Sequence, residues 1–376
     1  LNFIKNKKNY LTSFNPNKLM GIFLTSGTTN VPKGICHNSR SLIENALSFN
    51  KHNSLNSDTR FYHLFPMSYM AGFLNSVLSP ILCGGTIIID NVFSAITAIN
   101  FWKIIKEKKI NLIWSNPTMI KAILDINKQK NIVAEKIKIF VGTSSLDKNL
   151  KKKFYNKFKQ NCLESYGMTE ILIFSSEKPS DKKTNYSNCG KILNGNKIKK
   201  LIDFKKRYPK KLIVKSKFIN KFYFSLEDKN FFENKNLNQF DTGDQGYIDK
   251  KNNLVITGRS KDLIIKGGLN LNPLYIENKI ADYKDLDEVV VLGIKDKTYG
   301  ENILLCLKTI KNKKISINKF LAFLRKKLNK FEIPKIIVQV KLINKSTIGK
   351  IQRNKLLSRL LNKQGIYHKV LYEQNN

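Results

Sequence analysis

The stretch LTSGTTNVPKGI, Leu24 to Ile35, packs hydroxyls, glycines and one lysine into a dozen residues. The apolar run Met20–Leu24 before it reads as a strand. Thr25, Ser26, Thr28 and Thr29 offer hydroxyl donors, Gly27 and Gly34 permit close backbone approach, and Lys33 brings a point charge. Together they suit an anion, and phosphate above all. The common phosphate loop places glycine directly before its lysine. Here Pro32 holds that place and Gly27 lies six residues before Lys33, so a nucleotide-switch ATPase is not expected. Taken alone, such a loop reads equally well as a linker or turn.

The rest of the chain bounds the answer. Its 376 residues can bury a sizeable core and predict two domains. A hydrophobic content of 41% and 10% aromatics exclude a disordered chain. The nearest approach to the ~18 apolar residues of a membrane span is Phe73–Ile89. Asn75, Pro80 and Gly84–Gly85 interrupt it, so a buried strand pair is expected there and no transmembrane segment. Cys36, Cys83, Cys162, Cys189 and Cys306 are odd in number and lack metal or redox spacing, which predicts reduced thiols in a cytoplasmic protein. The chain starts at Leu1 with no signal-peptide pattern.

The net charge of +39 has two readings. One is a nucleic-acid or anionic-membrane partner. The other is a chain in which Lys, Asn and Ile are abundant throughout. The densest run, Lys197–Lys221, holds eleven basic residues and one acid, Asp203, but alternates with apolar residues as in KLIVKSKF. It reads as strands with a solvated basic face. Phe218, Phe222 and Tyr223 suit base stacking or a sheet core equally. The compositional reading is preferred. No specific nucleic acid is expected, and a weak, salt-sensitive surface for an anionic partner, membrane surfaces included, is the alternative.

Strand and helix signals alternate up to about Tyr166. Ser39–Phe49 reads as a helix with apolar face Leu42, Ala46 and Phe49; RFYHLFPMSYMAGF (60–73) as a strand broken at Pro66 and running into a helix; GGTIIID (84–90) as a strand; Phe101–Lys109 as a helix. NLIWSNPTMIKAIL (111–124) reads as strand, proline turn and helix, KIKIFVGTSSL (136–146) as a strand into a Gly/Ser loop, Leu150–Gln160 as a helix, and Asn161–Tyr166 as a strand into the loop YGMTE. This order predicts an α/β fold with a mainly parallel sheet and ligands at its carboxyl end. A β-rich subdomain follows at about 189–260, and a small α+β domain occupies 261–376.

Five segments then occur in order: LTSGTTNVPKG, ESYGMTE (164–170), FDTGDQGYID (240–249), GRSKDLIIKGG (258–268) and STIGKIQR (346–353). Each alone is an ordinary turn, hairpin or helix start. Together the chain, from about Leu19 to Arg353, resembles the adenylate-forming superfamily of acyl-CoA synthetases, peptide-synthetase adenylation domains and luciferases, and acyl-CoA synthetases most. The resemblance implies a large domain, 1–260, and a mobile C-terminal lid, 261–376. It also implies that the residues Thr25, Ser26, Gly27, Thr28, Thr29 and Lys33 hold the β- and γ-phosphates of ATP. Tyr166 would stack on adenine with Gly142 on the other side, Thr169 would meet the α-phosphate, and Glu170 would bind Mg²⁺. Asp244 would accept the ribose hydroxyls, Arg259 would steady ribose or phosphate, and Lys350 would reach the α-phosphate and the substrate carboxylate. Lys261 would be the hinge, and Tyr69 and Gly72 would belong to the acid pocket.

The implied reaction activates a fatty or aromatic acid to an acyl-adenylate, releases pyrophosphate, and passes the acyl group to coenzyme A. An acyl-carrier protein is an alternative acceptor. The segment FPMSYMAG carries no aspartate to hold an amino-acid ammonium, which points away from amino-acid substrates. The chain departs from the family pattern at three places. Asn30 replaces a glycine, Tyr69 replaces a histidine, and the last motif lacks its prolines. Only about two dozen residues precede the phosphate loop, so the N-terminal part of the first α/β sheet is expected to be missing. The rival reading is a non-catalytic, degenerate module that binds an anionic partner such as nucleic acid. Retention of Glu170, Asp244, Arg259 and Lys350 argues against it.

Overall fold

The computed structural model describes residues 15–25, 33–132, 137–179, 188–200, 210–346, 349–362 and 368–374. The quoted stretch does begin as a strand. β1 (Leu19–Thr25) pairs antiparallel with β2 (Lys33–Asn38) across the loop, so Thr25 and Lys33 face each other. The loop thus belongs to a hairpin, outside the parallel sheet. α1 (Ser39–His52) follows at once, capped by Asn38, whose side chain accepts from the Ser41 amide. Its face of Leu42, Ala46 and Phe49 is buried, as the spacing requires.

After α1 the chain winds β3 (Arg60–His63), a π-helix (Ala71–Leu78), α2 (Ser79–Leu82), β4 (Thr86–Ile89), α3 (Ala95–Glu107) and β5 (Leu112–Ser115). α4 (Pro117–Ile126), β6 (Lys138–Val141), α5 (Lys148–Phe158) and β7 (Cys162–Met168) continue it. The strands lie in the order β4-β3-β5-β6-β7, all parallel. The strand pair expected at Phe73–Ile89 is corrected here: helices fill 71–82, and only Thr86–Ile89 is a strand. Pro80 sits where the π-helix passes into α2, and Gly84 (φ +73°) ends the helix. The helix expected from Phe101 starts earlier, because Ser94 and Thr97 form a capping box ahead of it.

β8 (Leu172–Ser176) and β9 (Lys191–Ile192) extend this sheet antiparallel. The β-rich stretch follows with β10 (Asn196–Lys200), β11 (Lys210–Ser216), β12 (Phe222–Ser225), β13 (Phe231–Glu233), β14 (Phe240–Ile248) and β15 (Leu254–Arg259). It divides between two sheets, β10-β11-β14-β15 and β1-β2-β12-β13. The second one clasps the phosphate-loop hairpin. Of the aromatics weighed for base stacking, Phe218 is buried in the main core and Tyr223 stacks on Phe232 at 5.2 Å. Only Phe222 is exposed.

Beyond Arg259 come β16 (Ile264–Lys266), β17 (Leu269–Leu271), α6 (Pro273–Ile280), β18 (Leu286–Asp296) and β19 (Gly300–Thr309). α7 (Ile317–Lys327), β20 (Ile336–Val340), α8 (Arg353–Leu361) and β21 (His368–Glu373) complete the chain. These strands form one sheet, with cores of their own around Phe320 and Val338. The main core is built around Phe49, whose ring lies 5.0 Å from Phe140 and 5.3 Å from Trp114. No described helix is long and apolar enough to cross a membrane.

Candidate active site

The motif YGMTE, expected as a loop, is a correction. Tyr166, Gly167 and Met168 continue β7, paired to β8, and only Thr169 and Glu170 turn. The pairing satisfies backbone groups that a loop would leave to water. It also fixes the Tyr166 ring, which meets Phe174 edge-on at 6.2 Å. The Tyr166 hydroxyl donates to Asp244 Oδ2 at 2.7 Å, and Arg259 Nε donates to Asp244 Oδ1 at 3.0 Å. Asp244 and Arg259 face each other across β14 and β15. Asp244 is buried, and its amide donates to Thr242 Oγ1. Each carboxylate oxygen retains a second lone pair for a ligand hydroxyl. Burial, and then the Asp244 charge, push the Tyr166 hydroxyl well above its ordinary pKa.

The Thr169–Glu170 turn is held from two sides. His37 on β2 donates from Nε2 to the Thr169 carbonyl at 2.6 Å, while its Nδ1 lies 3.3 Å from Ser41 Oγ. The Asn220 amide donates to the Glu170 carbonyl at 2.9 Å. Burial lowers the His37 pKa to about 4, against the pull of the Thr169 carbonyl, so the ring is neutral near pH 7. Sequence reasoning missed His37. A lone histidine on an apolar strand reads as core, and its partner lies 132 residues away.

The Glu170 carboxyl is raised by burial and lowered in part by the charges of Lys350 and Arg259. Lys350 comes from the other end of the chain on a tight turn. The Ser346 amide donates to the Lys350 carbonyl at 2.8 Å, and the Lys350 amide donates to Ser346 Oγ at 3.1 Å. Arg353 anchors this turn with both terminal nitrogens on Glu277 of α6, at 2.6 and 3.0 Å, and with a bond to the Val291 carbonyl. Loss of water around the ammonium, then repulsion from Arg259, lowers the Lys350 pKa, while Asp244 and Glu170 oppose this. Tyr166, Thr169, Glu170, Asp244, Arg259 and Lys350 are therefore one constellation. Lys261 lies beside it in the 3₁₀ turn Ser260–Asp262.

The other candidates sit around this constellation or beyond the described residues. Thr25 and Lys33 close the hairpin, Thr25 Oγ1 reaching the Lys33 carbonyl at 3.4 Å. Ser26, Gly27, Thr28, Thr29 and Asn30 lie outside the described residues. Gly142 follows β6 and donates its amide to the Ser115 carbonyl. Tyr69 packs on Phe65 at 5.8 Å, and Gly72 in the π-helix comes so near Pro66 that a Cβ would lie 2.0 Å from its carbonyl oxygen. Among the described residues no three His, Cys, Asp or Glu side chains cluster as a metal cage. A single carboxylate such as Glu170 still fits Mg²⁺, which commonly takes its other oxygens from phosphates and water.

A parallel α/β sheet whose strand ends meet one lysine delivered by a separate C-terminal sheet has the architecture of adenylate-forming enzymes. The AMP-binding enzyme family matches residues 4–213, and the chain belongs to that family. The 2-succinylbenzoate--CoA ligase of Staphylococcus epidermidis is 26% identical over 350 residues, which cover 93% of this chain and 72% of the relative. The oxalate--CoA ligase of Saccharomyces cerevisiae is 27% identical over 341 residues, 88% of this chain and 61% of the relative. Among solved structures, ATP-bound MatB from Rhodopseudomonas palustris superimposes with a TM-score of 0.81 at 24% identity, over 93% of this chain and 69% of its own. The o-succinylbenzoate CoA synthetase (MenE) of Bacillus subtilis with its acyl-adenylate OSB-AMP gives 0.77 at 25% identity, over 91% and 69%.

Proposed function

We propose that the protein is an AMP-forming acid–thiol ligase that uses ATP to activate a carboxylic acid and passes the acyl group to coenzyme A. The observation that carries this reading is Lys350, delivered from the C-terminal sheet into the charges of Glu170, Asp244 and Arg259. The names of the two relatives, both CoA ligases, support it.

A carboxylate is a poor acyl donor. Its oxygen attacks the α-phosphorus of ATP, and the bond to pyrophosphate breaks with its electron pair. Charge builds on the phosphate oxygens, and fixed cations aimed there lower the barrier. Lys350 is one such cation, and its ammonium, not its amine, is the active form. Tyr166 presents its ring to adenine with the hydroxyl anchored on Asp244, which accepts from the ribose. Thr169 meets the α-phosphate, and Thr25 through Lys33 hold the departing phosphates. Glu170 would hold Mg²⁺, which would supply further charge neutralisation there. A thiolate then attacks the acyl carbon, and AMP leaves with the electron pair of the carbon–oxygen bond. Between the halves the unit 261–376 turns about Lys261, withdraws Lys350 and brings the β16–β17 hairpin forward.

The acid is fatty or aromatic, in keeping with the apolar segment Phe65–Phe73. An acyl-carrier protein is the second acceptor to test, since a +39 surface suits an acidic carrier. The unpaired cysteines support a reducing, cytoplasmic setting. The test is carboxylate-dependent exchange of labelled pyrophosphate into ATP. Exchange is expected with at least one acid in a panel of fatty and aromatic acids. Lys350→Ala abolishes it but spares thioester formation from supplied acyl-adenylate. Equal loss of both halves would refute the role given to Lys350, and no exchange with any acid would refute the enzyme.

A further inference from the structure

α4 touches the C-terminal unit at two points one turn apart. At its start, Thr118 Oγ1 donates to the Gly349 carbonyl at 3.5 Å, next to Lys350. Gly349 has φ +81°, and a Cβ there would lie 2.2 Å from Thr118 Oγ1, so the contact demands glycine twice over. One turn on, Lys121 Nζ lies 2.6 Å from Asp287 Oδ1 of β18 and 2.8 Å from Asp125 of its own helix. Both partners of the cross-unit pair are largely covered: the side chains are 22% and 17% exposed. Asp287 is braced from behind by Lys308 at 3.0 Å. α4 itself is capped by Asn116 and anchored by buried Met119, Ile120 and Ile123.

We propose that Lys121 is a positioning residue for Lys350: its ion pair with Asp287 latches the C-terminal unit onto α4 in the orientation that presents Lys350 to the adenylation site. The proposal rests on the function given above. A half-buried pair is screened less by water and salt than a surface one, so it can bias two orientations of one unit. The bias must be modest, because the second half-reaction needs the latch to open. Lys121 touches no reacting atom. Its loss acts on the fraction of molecules poised for adenylation and leaves the chemistry of thioester formation alone.

The experiment compares wild type, Lys121→Met, Asp287→Asn and the double variant in both half-reactions. Pyrophosphate exchange is expected to fall about fivefold in each single variant, the lower end of usual coupling between sites. Thioester formation from supplied acyl-adenylate is expected to hold or rise. The double variant is expected to lose no more than either single one. Equal falls in both half-reactions, no fall in exchange, or additive losses would overturn the proposal. Hydrogen exchange of the unliganded protein gives a readout independent of catalysis. The amides of Ser346, Gly349 and Lys350, which are hydrogen-bonded within the turn that carries Lys350, should exchange faster in Lys121→Met, and unchanged rates would overturn the latch. If wild type exchanges no pyrophosphate while this difference appears, the functional reading fails and the latch stands as a contact.

Discussion

At the scale of the residue, His37 shows how burial sets a role. Its ring has no exposed atom to speak of, one nitrogen faces a carbonyl, and the other faces a hydroxyl. A carbonyl only accepts, so Nε2 carries the proton, and burial rather than the hydrogen bonds disfavours a second one on Nδ1. The folded pKa, about 4, lies below the ordinary 6.5. Between those values the unfolded chain takes up a proton that the folded chain refuses. Stability therefore falls as pH drops through this window, by about 3 kcal/mol in all. His37→Gln keeps a donor for Thr169 but cannot be protonated. Denaturant melts at pH 7 and pH 4 should show a loss in wild type that shrinks in the variant. Equal losses would show that His37 is not the group responsible. The alkaline side belongs to Lys350, whose pKa is lowered. Adenylation is expected to fall as pH rises through a value below 10.5, while thioester formation shows no such limb; a shared limb would assign it elsewhere.

Elements meet where polar groups are buried together. Lys151 of α5 reaches Glu164 of β7 at 3.2 Å and Glu177, just past β8, at 2.7 Å, all three buried. Glu177 also accepts from the Glu164 amide. Burial, and the second carboxylate, hold the Glu164 carboxyl up to about 7 although Lys151 pulls it down. The cluster ties α5 to the strand that ends in Tyr166. Lys151→Met would leave two carboxylates facing each other, a loss of about 3–5 kcal/mol. The loss should be smaller at pH 5 than at pH 8, because a carboxylic acid costs less to bury than a carboxylate. Chemical denaturation at both pH values measures it; a pH-independent loss would point to packing instead. None of this was legible in the sequence, where Lys151 is one lysine among many on an amphipathic helix. The helix itself was legible, because Phe154 and Phe158 recur at helical spacing. Phe73–Ile89 was misjudged for the opposite reason. A short apolar run carries no period that separates strand from buried helix, and Pro80 lies where the π-helix gives way to α2 rather than at a break.

For the molecule as a whole, the order of strands, loops and motifs carried the reading. Tyr166, Asp244, Arg259 and Lys350 meet although their positions span 185 residues of sequence, and only the family resemblance, not spacing, groups them in the sequence. The sheet that clasps the phosphate-loop hairpin was not legible, since β2 and β12 are far apart and nothing local marks strands as partners. Nor was the contact between α4 and β18, which exists only once two cores are docked. The charge of +39 could be counted from the start, yet its consequence is global. So many like charges raise the free energy of a compact chain, and salt relieves that cost as the screening length shortens from ~30 Å at 0.01 M to ~10 Å at 0.1 M. The latch pair is buried enough to feel salt less. Melting temperature is therefore expected to rise by several degrees over this range of sodium chloride, with most of the gain reached by about 0.1 M. A specific nucleic-acid surface would instead declare itself as tight DNA binding that weakens steeply with salt. A melting temperature that stays flat or falls would show that ion pairs, rather than repulsion, dominate the electrostatics of the fold.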